Sequence, residues 1–273
     1  MQAYQDLLQQ VLDEGEEHAD RTGIGTLSLF GARFFHDMKN GYYFPLLTTK
    51  QVYWKTALRE LLWFLSGSND IRDLWKNQVK IWDGNYYSES WQNNPFYEQY
   101  KVGVNYGILW RNFHGVDQLV ELEKNIRKDP FSRRHMVTLW DPASLHKTAL
   151  PPCPMLFHFK VNKNYEMDMI MTQRSCDAFL GVPFNIAECG FLMLMLAGTC
   201  GLYARNLIIE FHDFHIYNNH IDAVKEQLSR TPFVVPQVIV DQDQARSLTE
   251  WRIDHFQVKD YVYHKKIEAP MAV

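Results

Sequence analysis

The run FNIAECGFLMLMLAGTCG, residues 184–201, sets the tightest limit on the fold. A surface helix needs a polar stripe for solvent, and this run is too apolar to provide one. It reads as a central buried helix that the rest of the chain has to cover. With 273 residues, 46% of them hydrophobic, the chain can bury a sizeable core, as one large domain or two small ones.

Around that run the pattern alternates between helix and strand. Residues 4–13 read as a helix, and GTLSLFGARFFHDM as a strand interrupted by a glycine. In QVYWKTALRELLWFLSG, Trp54, Leu58, Leu61, Leu62 and Leu65 recur at helical spacing and Gly67 stops the helix. Glu60 sits inside that apolar run. It either reaches solvent at the helix edge or needs a partner within. VDQLVELEKNIRKD is an amphipathic helix closed by Pro130. RHMVTLW, MLFHFKV and YEMDMIMTQR read as strands, the last two joined by an Asn-Lys-Asn turn into a hairpin. NLIIEFHDF alternates as a strand, and HIYNNHIDAVKEQLSR returns to helix. Residues 83–104 are polar, aromatic and aperiodic, and read as a surface insertion. With no repeat, low-complexity tract or linker, one α+β domain spanning 1–273 is expected, its helices packed on a mixed or mostly antiparallel sheet.

Composition removes several functional classes. Charged residues make up 22% and the formal net charge is −4, which gives no support to a general nucleic-acid binder or a membrane-surface protein. No apolar run approaches the roughly 18 residues of a membrane span, and the N-terminus lacks the apolar centre of a signal peptide. A soluble, cytoplasmic protein is expected. Cys153, Cys176, Cys189 and Cys200 form no C-x-x-C pair, so neither a zinc site nor a disulfide framework is expected.

Three groups of residues could carry chemistry. Arg21 in DRTG, Arg133 and Arg134 in SRRH, and Arg174 with Ser175 in QRSCD are either ordinary surface arginines or forked donors for a phosphate. No glycine-rich phosphate loop accompanies them, which disfavours a dinucleotide or ATP fold. HDFHIYNNH brings His212, Asp213, His215, Tyr217 and His220 together. A strand-to-helix transition there would scatter a metal cluster, so hydrogen bonding to a polar ligand, or a structural role, fits better. Cys153 lies between Pro152 and Pro154, after Pro151, on a stiff segment at a strand start. An arginine nearby would lower its pKa and make it a nucleophile.

The stretches DRTGIGT, FPLLTTK, RELLWFLSGSN, IWD, YGILWR, DPFSRR, LPPC, QRSCDAFLGVPFNIA, DFHIYNNH and APMAV, in this order, resemble the thymidylate synthase family along nearly the whole chain. The resemblance implies an α+β fold of thymidylate-synthase type in a homodimer packed sheet against sheet. It implies a pyrimidine nucleoside monophosphate as substrate and 5,10-methylenetetrahydrofolate as one-carbon donor. By the same resemblance Cys153 is the nucleophile, and Arg21, Arg174 and Ser175 bind phosphate, joined by Arg133 and Arg134 from the partner subunit. Asn185 reads the pyrimidine edge, and His215 and Tyr217 contact the sugar hydroxyl. Glu60 relays protons, Tyr106 lies near C5, and Asp177 faces pyrimidine and folate. Trp82, Gly181 and Val273 join Asp177 on the folate side.

The chain departs from the family pattern at several pocket positions. Pro154 replaces a histidine after the nucleophile, and Asn85 replaces a second tryptophan. GVNYG brings Val104 and Asn105, Phe211-His212-Asp213 stands where GGD is expected, and Glu188 and Cys189 enter the central helix. Three functions stay open on these residues. The first is methylation of dUMP to dTMP. The second is a hydroxymethylase in which Asn85, Asn105, His212 or Glu188 seats a water. The third is a nucleotide-binding homologue without turnover. Asn185 can both donate and accept, which favours dUMP over dCMP, and Glu188 is the residue able to upset that choice.

Overall fold

The structure, a computed structural model, describes residues 1–241 and 247–271. In chain order its helices are α1 (Gln2–Glu14), α2 (Trp54–Leu65), α3 (Ile71–Trp75), α4 (Asp83–Tyr86), α5 (Glu89–Gln92), α6 (Tyr106–Arg111), α7 (Gln118–Lys128), α8 (Val182–Cys200) and α9 (Ile221–Leu228). Its strands are β1 (Glu16–His18), β2 (Thr26–Asp37), β3 (Met136–Thr138), β4 (Pro154–Val161), β5 (Glu166–Asp177), β6 (Tyr203–Tyr217), β7 (Gln237–Val240) and β8 (Phe256–Lys259). β1 to β6 form one mixed sheet in the order β1-β2-β6-β5-β4-β3, and β7 pairs with β8. The expected α+β architecture and the β4–β5 hairpin are both present.

The apolar run is explained by its place in the topology. β5 and β6 are parallel neighbours, so the chain must cross over between them, and α8 is that crossover. Its residues Ile186, Phe191, Met193, Met195 and Leu196 are fully buried. Gly190 lets the helix approach Phe44, whose Cε2 would lie 2.9 Å from an added Cβ. By length and composition alone α8 could cross a membrane, contrary to the sequence expectation, yet 78% of its apolar window is buried inside the fold. The Phe191 ring lies 4.5 Å from Phe44 and 5.5 Å from Phe256. Phe191→Ala is therefore expected to lower the unfolding free energy by about 3–5 kcal/mol, measured by chemical denaturation.

Two readings are corrected. Residues 83–104 contain α4 and α5 and contribute Tyr86, Trp91 and Val102 to the core. Their apolar residues anchor through Trp91 Nε1, which donates to the Lys101 carbonyl at 2.9 Å, so helical periodicity has no room to develop. HIY is the end of β6, because antiparallel pairing with β2 continues to Thr26 opposite Tyr217. The helix begins only at Ile221.

Strand direction then fixes where chemistry can gather. β4 and β2 run against the parallel pair β5 and β6. The ends of β5 and β6 therefore meet the starts of β4 and β2 at one end of the sheet. Pro154 pairs with Gln173, Asp177 with His215, and Thr26 with Tyr217.

Candidate active site

Cys153 is half-buried immediately before β4. Its backbone N–H donates to the Tyr106 hydroxyl at 3.4 Å. Arg174, on the neighbouring strand, donates through Nε to the Pro152 carbonyl at 2.7 Å and through Nη2 to the Pro151 carbonyl at 3.0 Å. The same Nη2 lies 4.0 Å from Cys153 Sγ. The proline carbonyls thus hold the guanidinium against the thiol. Arg174 lowers the thiol pKa as expected, but its effect is outweighed. Burial raises it above its ordinary value, and Arg174 and Tyr106 offset only part of that rise. Arg174→Leu removes the offset. Alkylation of Cys153 by iodoacetamide is expected to slow roughly three- to tenfold near neutral pH, with its pH profile moved upward.

The Asp177 carboxylate accepts from the backbone N–H groups of Phe179 and Leu180 at 2.9 and 3.0 Å. Burial pushes this carboxyl up, but His220 and those two donors together hold it below the usual carboxylate range. His220 Nε2 donates to the Pro270 carbonyl at 2.7 Å, tying the C-terminal segment to the site. Gly181 begins α8 so close to Asp177 that an added Cβ would lie 3.3 Å from its carbonyl oxygen. Lys50 is buried with its ammonium 3.4 Å from the Phe179 ring centroid, and burial lowers its pKa to about 7. Sequence reasoning passed over Lys50, although it closes the quoted stretch FPLLTTK. Val273 lies outside the described residues.

On β6, His215 Nδ1 meets Asp213 Oδ1 at 2.9 Å, and Ser28 donates to the same oxygen at 2.8 Å. Tyr217 stands edge-on to His215, with ring centroids 5.2 Å apart. Arg21 is exposed on the loop before β2, at the same end of the sheet. Ser175 sits on β5 opposite Asp213. Arg133 and Arg134 do not join them. They are exposed ahead of β3, the opposite edge strand, and toward the other end of the strands.

A second constellation lies beside Tyr106. Trp82 is buried, and its Nε1 donates to Glu60 Oε1 at 2.6 Å. Glu60 on α2 and Glu188 on α8 lie within electrostatic range of each other, and Glu188 Oε1 is buried with no hydrogen-bond partner among the described residues. Asn185 Oδ1 accepts from Gln173 Nε2 at 3.0 Å. Desolvation raises both carboxyls, and that of Glu188 rises well above its ordinary value. Tyr106, Asn185, Glu188 and Pro154 face a cavity of about 30 Å³, room for a water.

Of the four groups expected to seat a water, Glu188 alone lines this cavity. Asn105 is a helix cap: its Oδ1 accepts from the Ile108 N–H at 3.0 Å and its Nδ2 donates to the Ser68 carbonyl at 2.9 Å. Strand alternation sends Phe211 into the core and His212 to the other sheet face, against Phe30. Asn85 lies on α4, one turn beyond Trp82.

A family model described as thymidylate synthase matches residues 2–273. Several curated relatives bear that name. The protein from Coxiella burnetii (strain RSA 493 / Nine Mile phase I) is 42% identical over 278 residues. Those from Enterobacteria phage T4 and Malacoplasma penetrans (strain HF-2) are 38% identical over 291 and 293 residues. Each alignment covers 100% of both chains.

Proposed function

The chain belongs to the thymidylate synthase family, and from that membership we propose that it methylates dUMP at C5 to give dTMP, with 5,10-methylenetetrahydrofolate as donor. The observation that carries this reading is Cys153, whose thiol lies 4.0 Å from Arg174 Nη2 and whose backbone N–H donates to the Tyr106 hydroxyl. C5 of uracil is a poor nucleophile. Addition of the Cys153 thiolate at C6 converts the ring to an enolate whose C5 can attack. Arg21, Arg174 and Ser175 take the phosphate, which fixes C6 near the sulfur, and positioning of this kind supplies much of the rate.

Asn185 matches O4 and N3–H of uracil with one amide, and His215 and Tyr217 take the sugar hydroxyl. Glu60 moves protons at the pyrimidine and folate, and Tyr106 serves the C5 proton. When bound, the folate supplies the one-carbon unit and the hydride that completes the methyl group. Asp177, kept ionised, suits the N–H edge of a reduced pterin, and Trp82, Gly181 and Val273 also serve the folate. Lys50, cationic below about pH 7, adds a positive group near Asp177.

Arg133 and Arg134 complete the phosphate site of a partner subunit. Their distance from Arg21 along the sheet order supports this, as does a half-open outer sheet face carrying Phe35, Ile170 and Ile208. The one span-length helix among the described residues is mostly buried within the fold, which supports a soluble enzyme.

One assay tests the reading. The protein is incubated with dUMP and methylenetetrahydrofolate while dihydrofolate absorbance is followed and the nucleotide is weighed by mass spectrometry. A gain of CH2 with dihydrofolate is expected. A gain of CH2O with tetrahydrofolate, or turnover of dCMP alone, would overturn it.

A further inference from the structure

Arg133 and Arg134 are exposed on the stretch between α7 and β3, and the residue that follows them is not. His135 is 1% exposed. Strand-like alternation explains the contrast, since Arg134 and Met136 face outward while His135 faces inward. Its Nε2 lies 3.0 Å from the Asp129 carbonyl oxygen and 3.2 Å from that of Pro130. Carbonyl oxygens only accept, so the ring proton sits on Nε2 and is shared between the two. Nδ1 is buried with no hydrogen-bond partner among the described residues. The ring therefore spends its hydrogen bonding on one clasp across the loop that carries both arginines.

We propose that His135 is a positioning residue for Arg133 and Arg134, closing loop 129–135 so that both guanidinium groups are held ready for a phosphate. Each end of the loop is anchored. Asp129 follows α7, whose Leu122 and Ile126 lie in the core, and its N–H donates to the Asn125 carbonyl at 2.9 Å. The His135 carbonyl accepts from the Phe159 N–H on β4 at 2.9 Å. Between these ends the Ser132 N–H donates at 3.1 Å to the Asp129 carbonyl, the same oxygen that the ring holds. The Phe131 ring stands 5.7 Å from that of Tyr165 at the β4–β5 turn. The imidazole ties the two anchors to each other. Gripping a phosphate costs an arginine rotamer freedom, and a backbone already fixed leaves less to lose on binding. This role rests on the reading that the two arginines serve a phosphate.

A clasp of this kind acts on the phosphate and not on the base. Its loop lies toward the far end of the strands from Cys153. Loosening it should weaken the hold on the nucleotide without altering the chemistry at C6, so KM rises while kcat is kept. Side-chain chemistry separates the clasp from simple filling of space. Glutamine carries its amide nitrogen as many bonds from Cα as Nε2 does, and that nitrogen donates. Asparagine carries its nitrogen at the place of Nδ1, where nothing accepts a hydrogen bond. Leucine fills the space and donates nothing.

The test uses the full-length protein and reads the loop and the phosphate separately. Trypsin cuts after arginine, so native digestion followed by mass spectrometry reports on the loop directly. Cleavage after Arg133 and Arg134 should be about tenfold faster in His135→Leu and His135→Asn, and within about twofold of wild type in His135→Gln. In turnover, His135→Leu and His135→Asn should raise the KM for dUMP about tenfold with kcat within about threefold, and His135→Gln should restore it. Competitive inhibition by deoxyuridine, which lacks the phosphate, should change less than about twofold in all three. A merely structural loss would weaken both ligands alike. Unchanged cleavage in His135→Leu overturns the clasp, and equal weakening of dUMP and deoxyuridine overturns the positioning role. Arg133→Ala and Arg134→Ala separate the two readings. If they raise the dUMP KM and His135→Leu does not, only the role of His135 falls. If they leave it unchanged, the arginine assignment falls and the role of His135 with it.

Discussion

Cys153→Ser is expected to lower kcat by about 10⁴-fold or more, equivalent to roughly 5.5 kcal/mol of transition-state stabilisation. A serine hydroxyl is far less acidic than a thiol, and among the described residues no histidine bonds Cys153 to take its proton. Arg174 Nη2 lies 4.0 Å from Sγ, and the Tyr106 hydroxyl accepts from the Cys153 backbone N–H at 3.4 Å; neither is a base that takes the serine proton. Serine retains the size and the backbone N–H, so the bond to Tyr106 and the clamp of Arg174 on the Pro151 and Pro152 carbonyls persist. Nucleotide affinity should therefore change only a few-fold. Steady-state kinetics with calorimetric binding of dUMP checks both halves. A covalent nucleotide adduct seen by mass spectrometry in wild type should vanish in the variant. Retained turnover would remove Cys153 from the mechanism.

How much of this was legible depends on the range over which each cause acts. Helical periodicity in 54–65 and the apolar run of α8 are local signals, and both elements formed where the sequence placed them. The length of β6 was not local. Its last residues pair with β2, nearly two hundred positions earlier in the chain, and a strand that ends in HIY looks like a helix entrance until its partner is known. The two short helices in 83–104 have too few turns to show a period. Their packing depends on Trp91 reaching the Lys101 carbonyl.

The site divides along the same line. Residue types at Cys153, Arg174 and Asn185 were readable because the flanking stretches are distinctive. Their electrostatics were not. An arginine near the thiol suggested a lowered pKa, but desolvation outweighs it, and desolvation is a property of everything packed around the sulfur. Asn105 looked like a polar intrusion in a pocket, yet its amide caps α6. Glu188 looked like one drift among several. Only the packing of α2 against α8 brings it within electrostatic range of Glu60.

That proximity makes Glu60→Gln the other large effect, with activity and stability moving in opposite directions. General acid–base catalysis contributes about 10²–10⁴-fold, so kcat should drop by that factor while the nucleotide KM moves only a few-fold. The amide oxygen still accepts from Trp82 Nε1. The folded-state pKa of Glu60 is raised above 4.5 by desolvation. Its contribution to stability is thus fully present below pH 4.5 and is lost as pH rises through the folded value. Near neutral pH the wild type bears that strain and Glu60→Gln does not. The variant should gain about 1–3 kcal/mol of unfolding free energy there, with the gain shrinking as the pH falls toward 4.5. Denaturation at several pH values, set beside kcat, tests the pairing. A variant that loses activity and stability together would make Glu60 a structural carboxyl and remove it from the proton relay.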